Sequence, residues 1–481
     1  MTMRLIPSIA LAAALVATAA HPLLAQPAQT ATPQAQAPAR ETPPPPGEPR
    51  DLKLPAIETY QLANGMQVTM IPFGSVPKVT LSLRIRAGVF DESKYGVSDF
   101  TSALMNEGAA GQSAVAIAQK AGDMGGSVGV GNGQEFFSAG ISVLSEFGPQ
   151  ATNLLADVVR RPNLPESELP RIKQDVLRNL AISRTNPQSL AGDAFTKTFL
   201  AGHPFGHGLI TEAEVAAITV DDIRRFHAEK LGAKRAHLYV AGQFDAAAMR
   251  KAIEAAFGDW QQGPDPIIKP ATPASKLNVV LVDRPKAPQS TIYVGAPLPG
   301  PETFAERVPM SVANDVLGGS FTSRITMNLR EDKGYTYSPS SSAGFGTGYG
   351  QWVLAADVTS AHTGDSLREV FKEIRLLGSE PPAKAELEAK QNGLAGMWVL
   401  RTATRSGLIS SLSFYDTHGL PRSELQEYVG KVRAVTPQEV STLIGQYLKP
   451  QTMTIVIVGD LETVRPQLKK VPEIASSVPS L

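Results

Sequence analysis

An internal duplication constrains the fold of this chain more than any other feature of its sequence. Residues 217–245 align without a gap on residues 434–462, at a constant offset of 217 positions. In each copy a threonine, Thr219 or Thr436, is followed three positions later by an acid, which is the capping arrangement of a helix start. An apolar strand and a glycine then follow in both copies. The repeat predicts two homologous α+β halves of about 200 residues each.

A proline-rich stretch marks the boundary between the predicted halves. Residues 259–276 contain four prolines, a density that prevents regular secondary structure. We therefore expect an N-terminal half over residues 51–258, a linker over residues 259–276 and a C-terminal half over residues 277–472. Near the start of the first half, Asn64 and Gly65 separate two alternating apolar runs, which predicts a β-hairpin.

The first 50 residues have the composition of an export signal followed by a spacer. An early positive charge precedes an apolar, alanine-rich run over residues 5–20, and small residues permit cleavage after Ala20 or Ala25. Residues 1–25 are therefore predicted to be a signal peptide. A membrane anchor is the alternative, but the run is shorter than the roughly 20 residues that span a bilayer. Residues 26–50, rich in Pro, Ala and Gln, are predicted to be a disordered leader.

The overall composition excludes several kinds of site. The chain has 45 basic and 45 acidic residues, so it lacks the positive surplus of a nucleic-acid-binding protein, and no like-charge run indicates a membrane surface. It contains no cysteine, which excludes disulfides, thiolate zinc ligands, a cysteine nucleophile and a lipid-modified cysteine. After removal of the signal peptide, the protein is expected to be soluble in a bacterial periplasm.

One stretch carries a pair of side chains that could act on a substrate. Residues 317–337 read LGGSFTSRITMNLREDKGYTY, in which a helix-like run leads to Arg330, Gly334 and Tyr337. Because Gly334 permits a left-handed turn, the guanidinium and the phenol can face the same point. Both groups can donate hydrogen bonds to a carbonyl oxygen as it gains negative charge. Spacing alone nevertheless favours the simpler interpretation of a surface arginine and a half-buried tyrosine.

Several short motifs, taken in order, resemble the insulinase/pitrilysin-type zinc peptidases, the inverzincins. The resemblance runs from about residue 59 to residue 468. The matched pieces are LANGMQV at residues 62–68, Arg86-Ala87-Gly88, Gly125-Gly126, His203-Pro204-Phe205-Gly206 and the stretch at residues 317–337. The resemblance implies an α+β fold of two homologous halves, each a mostly antiparallel sheet packed with helices, which together form a clam-shell.

The zinc site of that family is degenerate in this chain. Members place H-x-x-E-H on the first long helix, where two histidines bind zinc and the glutamate activates water, and a later glutamate is the third ligand. Laid over residues 96–108, the pattern puts Asp99, Ser102 and Ala103 at these positions, and the third ligand falls near Asn179. Alanine cannot bind zinc, and serine is a poor base at neutral pH. We therefore expect no metal or other cofactor in this chain, and zinc in a partner subunit.

The second half retains a different part of the family's site. The resemblance implies that an arginine and a tyrosine, seven residues apart in the second homologous half, reach toward the substrate carbonyl. Arg330 and Tyr337 match that pair. A degenerate zinc helix combined with a retained arginine–tyrosine pair resembles the zinc-free subunit of two-subunit family members.

Two glycine-rich stretches are candidates for backbone pairing with a substrate. In the family, the region that contains Ser127, Val128, Gly129 and Val130 leads into an edge strand along which substrate can pair. Residues 338–345 are the corresponding stretch of the second half. An ordinary surface turn is the alternative for both stretches. A phosphate-binding loop is not favoured, because the lysine and the helix start that such a loop uses are lacking.

These observations lead to one hypothesis and two rivals. The chain is predicted to be the exported, zinc-lacking subunit of a heterodimeric insulinase-type peptidase, inactive alone, whose H-x-x-E-H partner supplies metal and base for the hydrolysis of short peptides. Arg330 and Tyr337 would polarise the scissile carbonyl. The first rival is a catalytically inert peptide-binding or structural subunit of the same fold, like the non-peptidase core subunits of respiratory complexes. The second rival is a lone metalloenzyme with altered ligands.

Overall fold

The computed structural model of the chain describes residues 53–479. The predicted signal peptide, residues 1–25, and the predicted leader, residues 26–50, both lie before these residues, and so both predictions fall outside the described part of the chain. Between residues 53 and 479, no helix combines the length and the apolar character needed to cross a bilayer.

The strands of the described chain build two large sheets and one short hairpin. In chain order they are β1 Glu58–Gln61, β2 Gln67–Pro72, β3 Lys78–Ile85, β4 Gly108–Ala109, β5 Gln112–Ser113, β6 Ser127–Asn132, β7 Phe137–Leu144, β8 Ala236–Gly242, β9 Asn278–Asp283, β10 Gln289–Pro299, β11 Ser340–Gly346, β12 Tyr349–Thr359 and β13 Thr454–Gly459.

The helices surround these sheets, and two of them continue into π-helical segments. In chain order they are α1 Val97–Met105, α2 Ala114–Asp123, α3 Gly148–Arg160, α4 Leu169–Thr185, α5 Pro187–Phe199, α6 Glu212–Ala217, α7 Val220–Lys230, α8 Ala246–Phe257, α9 Arg307–Asn314, α10 Arg324–Thr326, α11 Thr363–Ser379, α12 Lys384–Thr402, α13 Arg405–Thr417, α14 Ser423–Ala434, α15 Pro437–Tyr447 and α16 Leu461–Leu468. Asp315–Gly319 extends α9, and Met327–Asp332 extends α10.

The two large sheets repeat one topology. The first has the order β1-β2-β8-β3-β7-β6, and the second, read from its other end, has the order β9-β13-β10-β12-β11. Neighbouring strands are antiparallel except β2 with β8 and β9 with β13. Every strand of the second sheet therefore has a counterpart in the first, and both sheets are open, with β6 and β11 at corresponding edges. The predicted α+β class with two homologous, mostly antiparallel halves is confirmed.

Local sequence signals account for the elements that frame each half. The Thr219 Oγ1 and Thr436 Oγ1 atoms each accept a hydrogen bond of 3.2 Å from the backbone N–H three residues on, at the starts of α7 and α15. Such a cap contributes about 1 kcal/mol to the stability of the helix it opens. Gly65 has a φ of 95° in the turn between β1 and β2, which pair antiparallel. The predicted capping boxes and the predicted hairpin are both confirmed.

A buried ion pair fixes the start of the segment between the two sheets. Residues 259–276 contain no helix and no strand. Arg235 Nη1 lies 2.7 Å from Asp91 Oδ1, and both side chains are almost fully buried. The same guanidinium donates to the backbone carbonyls of Pro264 and Asp265 at 2.9 and 2.7 Å. The segment is therefore held against the first half at its proline-rich start.

Each half places one helix against the sheet of the other half. Helix α5 of the first half packs on β9, β10 and β13 of the second sheet, and α13 of the second half packs on β3 and β8 of the first sheet. The Phe195 ring of α5 lies so close to Gly295 of β10 that a Cβ there would meet the ring at 2.3 Å. Leu412 of α13 is fully buried in a cluster with Ile71 and Tyr239 of the first sheet. Because α5 and α13 occupy equivalent positions in the duplication, this exchange is reciprocal.

Candidate active-site element

Arg330 lies at the end of a helix whose last turn contains one residue more than an α-helical turn. Helix α10 passes into the π-helical segment Met327–Asp332, and Gly334 then adopts a left-handed backbone with a φ of 65°. The Gly334 N–H donates to the Arg330 carbonyl at 3.2 Å, and the Tyr335 N–H donates to the Leu329 carbonyl at 2.9 Å. These two bonds close the helix as a Schellman motif does, but with one more residue in each ring. The predicted break at Gly334 is confirmed.

The equivalent helix of the first half ends without the extra residue. After α2, Gly125 has a φ of 77°, and the Gly126 N–H donates to the Ala121 carbonyl at 2.9 Å. When the two closures are compared, Gly125 corresponds to Gly334, and Gly122 stands where the second half has its arginine. An extra residue in a helix produces a π-helical turn, and such turns are frequent at functional sites.

The arginine and the tyrosine predicted from their spacing are brought together. The Arg330 Cζ atom lies 4.6 Å from the centre of the Tyr337 ring and 4.4 Å from the centre of the Phe321 ring. The Arg330 Nε atom lies 3.2 Å from a carboxylate oxygen of Glu331. Between residues 53 and 479, no hydrogen bond joins the terminal guanidinium nitrogens of Arg330 or the hydroxyl of Tyr337 to another protein group. These donors are therefore available to a group outside the chain.

The backbone on either side of the pair is anchored. Thr336 forms a β-bridge with Val358 at the end of β12, and the Tyr335 ring stacks on the His362 ring at 4.2 Å. Tyr337 follows directly, and its side chain is 77% exposed. A recess of about 460 Å³ opens beside it, between the loop and the ends of β10 and β12. The predicted half-burial of this tyrosine, which was the simpler interpretation, does not fit the structure.

A buried lysine fixes the loop that presents Phe321. Lys390 of α12 is 5% exposed, and its Nζ donates to Ser320 Oγ at 2.8 Å and to Thr322 Oγ1 at 2.7 Å. Burial lowers the pKa of this lysine, and the nearby carboxylate of Asp315 opposes that shift. Sequence reasoning singled out neither Phe321 nor Lys390. The one sequence signal that could have identified Phe321 is its place between two hydroxyl residues, Ser320 and Thr322, where an aromatic ring is not expected to be buried.

The residues at the degenerate zinc positions do not fit a zinc ion. Asp99 is exposed, and one of its carboxylate oxygens accepts a hydrogen bond of 3.0 Å from Asn132 Nδ2. Ser102 Oγ donates to the backbone carbonyl of Asp99 at 2.9 Å, and Ala103 packs against the first core. Asn179 is exposed on α4. In residues 53–479 no three histidine, aspartate or glutamate side chains are grouped as metal ligands, whereas catalytic zinc needs three protein ligands.

The edge strand of the first sheet is partly occupied by this chain itself. The Asn106 carboxamide accepts from the Val130 N–H at 3.0 Å and donates to the Val130 carbonyl at 2.9 Å. Outward-facing backbone groups alternate along an antiparallel edge, so Ser127 and Gly129 pair with β7 while Val128 faces the open side. Of the four predicted substrate-strand residues, only Val128 therefore retains outward backbone groups that are free for pairing.

The corresponding edge of the second sheet is more open. The strand predicted at residues 338–345 is present as β11, and β11 lies at the sheet edge. Asn314 at the end of α9 donates to the Ser341 carbonyl at 3.2 Å, which repeats the role of Asn106 in the first half. By the same alternation, Ala343 and Phe345 face outward farther along β11.

Comparison with known families classifies the chain. The family model described as "Insulinase (Peptidase family M16)" matches residues 73–212, and the one described as "Peptidase M16 inactive domain" matches residues 217–394. Together the matches cover well over half of the 481 residues. The chain belongs to the insulinase (M16) peptidase family. Within that family it is similar to members without a zinc site, because Asp99, Ser102, Ala103 and Asn179 replace the catalytic residues.

Two bacterial relatives match the chain over most of its length. The Bacillus subtilis protein named uncharacterized zinc protease YmxG is 25% identical over 397 residues, which is 81% of this chain and 95% of that protein. The Helicobacter pylori protein named non-peptidase homolog YmxG is 23% identical over 401 residues, which is 81% of this chain and 90% of that protein. The names therefore differ on whether such proteins are peptidases.

Solved structures share the fold. The peptidase M16 inactive domain from Pseudomonas fluorescens is 25% identical with a TM-score of 0.76, and the match covers 84% of this chain and 98% of that one. A protease from Helicobacter pylori has a TM-score of 0.77 at 16% identity, with 85% and 100% covered. A chain of Complex III2 from Candida albicans has a TM-score of 0.69 at 18% identity, with 86% and 99% covered.

Proposed function

We propose that this chain is the exported, zinc-free subunit of a heterodimeric M16 peptidase. Its partner is a homologous chain with an intact H-x-x-E-H motif, which holds the zinc ion and the general base. This chain supplies Arg330 and Tyr337, whose N–H and O–H groups donate to the carbonyl oxygen of the scissile peptide bond. Alone, the chain hydrolyses no peptide, because its own zinc positions are degenerate.

The observation that carries this proposal is the contact between Arg330 and Tyr337. The Cζ atom and the phenol ring centre lie 4.6 Å apart, on a helix end that the extra residue widens. Among the described residues 53–479, the terminal guanidinium nitrogens and the phenol hydroxyl have no hydrogen-bond partner, so they can donate to an acceptor beyond this chain. Exposure of the Tyr337 side chain supports contact with a second subunit and its substrate.

The two donors favour the transition state over the ground state. A scissile carbonyl oxygen gains nearly a full negative charge in the tetrahedral intermediate, and charge-assisted hydrogen bonds strengthen as that charge develops. Removal of one such donor from an enzyme typically lowers the rate on the order of a hundredfold or more. The contribution of this chain to catalysis is therefore expected to be large, although it provides no nucleophile.

Short peptides in an extended conformation are the proposed substrates. The edge strands β6 and β11 offer outward backbone groups at Val128 and at Ala343 and Phe345, and an extended peptide can pair with such groups whatever its side chains. Export by the N-terminal signal would place this activity in the periplasm. Neither a nucleic acid nor a membrane is proposed as a partner of the mature chain.

Reconstitution with the zinc subunit tests the proposal. The partner alone, the partner with the wild-type chain, and the partner with Arg330→Ala or Tyr337→Phe chains are compared in the cleavage of a quenched fluorescent peptide. We expect activity only in the wild-type mixture, and a loss on the order of a hundredfold in each variant mixture. Lys333→Ala, which removes a neighbouring surface cation, serves as the matched control. Wild-type activity in the Arg330→Ala and Tyr337→Phe mixtures would exclude the catalytic role.

A catalytically inert binding or structural subunit is the second candidate. It is favoured by the Helicobacter pylori relative named a non-peptidase homolog and by the fold shared with a chain of Complex III2. This alternative predicts that the partner is fully active alone. The same reconstitution therefore separates the two functions, because only the first requires the added chain for turnover.

A further inference from the structure

A cavity of about 660 Å³ lies between the two halves and shares no lining residue with the recess beside Arg330. The first half contributes β3 and the β6–β7 hairpin, and the second contributes the β11–β12 hairpin and α13. The two hairpin tips are joined, because the Thr347 N–H donates to a carboxylate oxygen of Glu135 at 3.2 Å. Arg86 Nη2 lies 3.4 Å from the other oxygen of Glu135.

One cation faces this cavity without an anionic partner. Arg84 of β3 is partly buried, its Nη1 donates to Ser413 Oγ at 2.6 Å, and its Cζ lies 4.4 Å from the centre of the Phe136 ring. Between residues 53 and 479, no carboxylate oxygen lies within 4.0 Å of its guanidinium nitrogens. Burial lowers the pKa of Arg84, which reflects the cost of keeping the charge away from water. A guanidinium in this setting gains from an anion more than an exposed arginine does.

The walls of the cavity define which anion fits. Phe136, Phe345 and Phe414 line it, together with the side chains of Ser82, Ser138 and Ser410. The other ionisable side chains at the wall already have partners, since Glu135 pairs with Arg86 and the His418 ring lies 2.8 Å from a carboxylate oxygen of Glu302. One free positive charge beside Glu135 suits a monoanion better than a phosphate dianion. Phenyl walls suit an apolar group next to that monoanion.

We propose that this cavity binds the C-terminal carboxylate of a peptide on the Arg84 guanidinium, with the last side chain of the peptide among the three phenylalanine rings. The fork of N–H groups on arginine matches the two oxygens of a carboxylate. The choice of a peptide as the carrier rests on the proposed function, whereas recognition of a carboxylate does not. The site would hold one end of a substrate or product at a distance from the Arg330 pair.

Calorimetry on the chain alone tests this site, without a partner or hydrolysis. The probes are acetyl-Ala-Ala-Phe with a free acid, the same peptide with a C-terminal amide, and acetyl-Ala-Glu-Phe-amide. We expect the free acid to bind about tenfold more tightly than either amide, as the loss of a charged hydrogen bond predicts. Arg84→Gln should abolish that preference, and Arg84→Lys should retain part of it. Arg86→Gln made together with Glu135→Gln, which removes both charges of that ion pair, should leave it intact.

Four outcomes would overturn the site. They are equal affinities for the acid and its amide, a wild-type preference in Arg84→Gln, tight binding of the internal-glutamate peptide, and competition by acetate at the same concentration as the peptide acid. Thermal unfolding shows whether each variant is folded. If Arg84→Gln does not fold, the comparison of Arg84→Lys with the wild type decides the test. Because turnover is not measured, failure of this site leaves the Arg330 proposal untouched. Failure of reconstitution would remove the reason for choosing a peptide as the carrier, but not the recognition of a carboxylate by Arg84.

Discussion

The guanidinium of Arg330 is oriented by two aromatic rings and one neighbouring carboxylate. Its Cζ lies within 5 Å of the Phe321 and Tyr337 ring centres, while Glu331 binds only the Nε edge. Within residues 53–479, no protein acceptor is hydrogen-bonded to its terminal nitrogens. Ring faces hold the cation without using its terminal N–H groups, so these groups remain for a substrate oxygen although Glu331 occupies Nε.

Replacing Phe321 tests how much this orientation matters. Phe321→Leu keeps an apolar side chain but removes the ring face, and a partly exposed cation–π contact contributes about 0.5–1 kcal/mol. We expect kcat of the reconstituted complex to fall by about two- to fivefold, with the unfolding temperature of the chain unchanged. Steady-state kinetics and a thermal melt measure the two quantities. An unchanged kcat would show that Phe321 does not orient the guanidinium.

His237 makes the stability of the chain depend on pH. Burial is the main cause that lowers its pKa from 6.5 to about 4, although the Asp416 carboxylate opposes the shift. Its ring nitrogens lie 2.8 Å from Thr69 Oγ1 and 3.1 Å from the Tyr239 hydroxyl. The neutral ring is therefore the form that the folded protein accommodates, and protons bind the unfolded chain first.

Because the pKa of His237 is lower in the folded protein than in the unfolded chain, the free energy of unfolding falls as the pH is lowered. The stabilisation is complete above pH 6.5, is lost as the pH falls from 6.5 to about 4, and amounts to on the order of 3 kcal/mol. In His237→Gln, the free energy of unfolding from urea titrations should fall less steeply over this pH range than in the wild type. Parallel profiles for the two proteins would contradict the assignment, whatever their absolute stabilities.

At the scale of single elements, the widened helix end before Gly334 sets the position of Tyr337. Two glycines at which an added Cβ would meet no atom within 4 Å provide a matched pair, Gly334 at a φ of 65° and Gly393 inside helix α12. Gly334→Ala should destabilise the chain by about 1 kcal/mol, because alanine is strained in a left-handed turn. Gly393→Ala should stabilise it by about 0.5–1 kcal/mol, because alanine favours the helix.

Urea unfolding of both variants measures these opposite shifts. Gly334→Ala should also lower the activity of the reconstituted complex, since it alters the turn between Arg330 and Tyr337, whereas Gly393→Ala should not. Equal stability of Gly334→Ala and wild type would mean that the turn does not require glycine.

Elements governed by short-range signals could be predicted from the sequence. The capping boxes at Thr219 and Thr436, the hairpin at Gly65 and the break at Gly334 each depend on neighbours a few positions away. The π-helical turn at residues 327–332 could not be predicted from the sequence. It is defined by backbone hydrogen bonds that only the structure gives, and the extra residue becomes clear when the ends of the two equivalent helices are compared. The role of Lys390 in fixing the Phe321 loop depends on hydrogen bonds across about 70 positions, and no local pattern encodes them.

At the scale of the whole molecule, the duplication predicted two halves but not their exchange of helices. An amphipathic helix such as α5 can bury its apolar face against either sheet, so its periodicity alone does not predict which sheet it packs on. The structure assigns α5 to the second sheet and α13 to the first. Each half then completes the covering of the other, and the two are expected to unfold together.

Removal of one large side chain from helix α5, which packs on the second sheet, tests whether the two halves unfold together. Phe195 is 5% exposed in the cluster between α5 and the second sheet, so Phe195→Ala should cost about 3–5 kcal/mol. Hydrogen exchange should then increase in both sheets, and urea unfolding should remain a single transition. Ile182→Ala, on an exposed face of α4, is the control and should be nearly neutral. Faster exchange confined to one sheet would show that the halves are independent.

In the proposed complex, Tyr337 and Arg330 complete an active site whose zinc belongs to another chain. The most direct test is kcat of the stoichiometric complex with Tyr337→Phe, a change that removes one hydroxyl and keeps the ring beside Arg330. We expect kcat to fall on the order of a hundredfold while KM stays near its wild-type value. A wild-type kcat, in a complex that gel filtration shows to be intact, would contradict it.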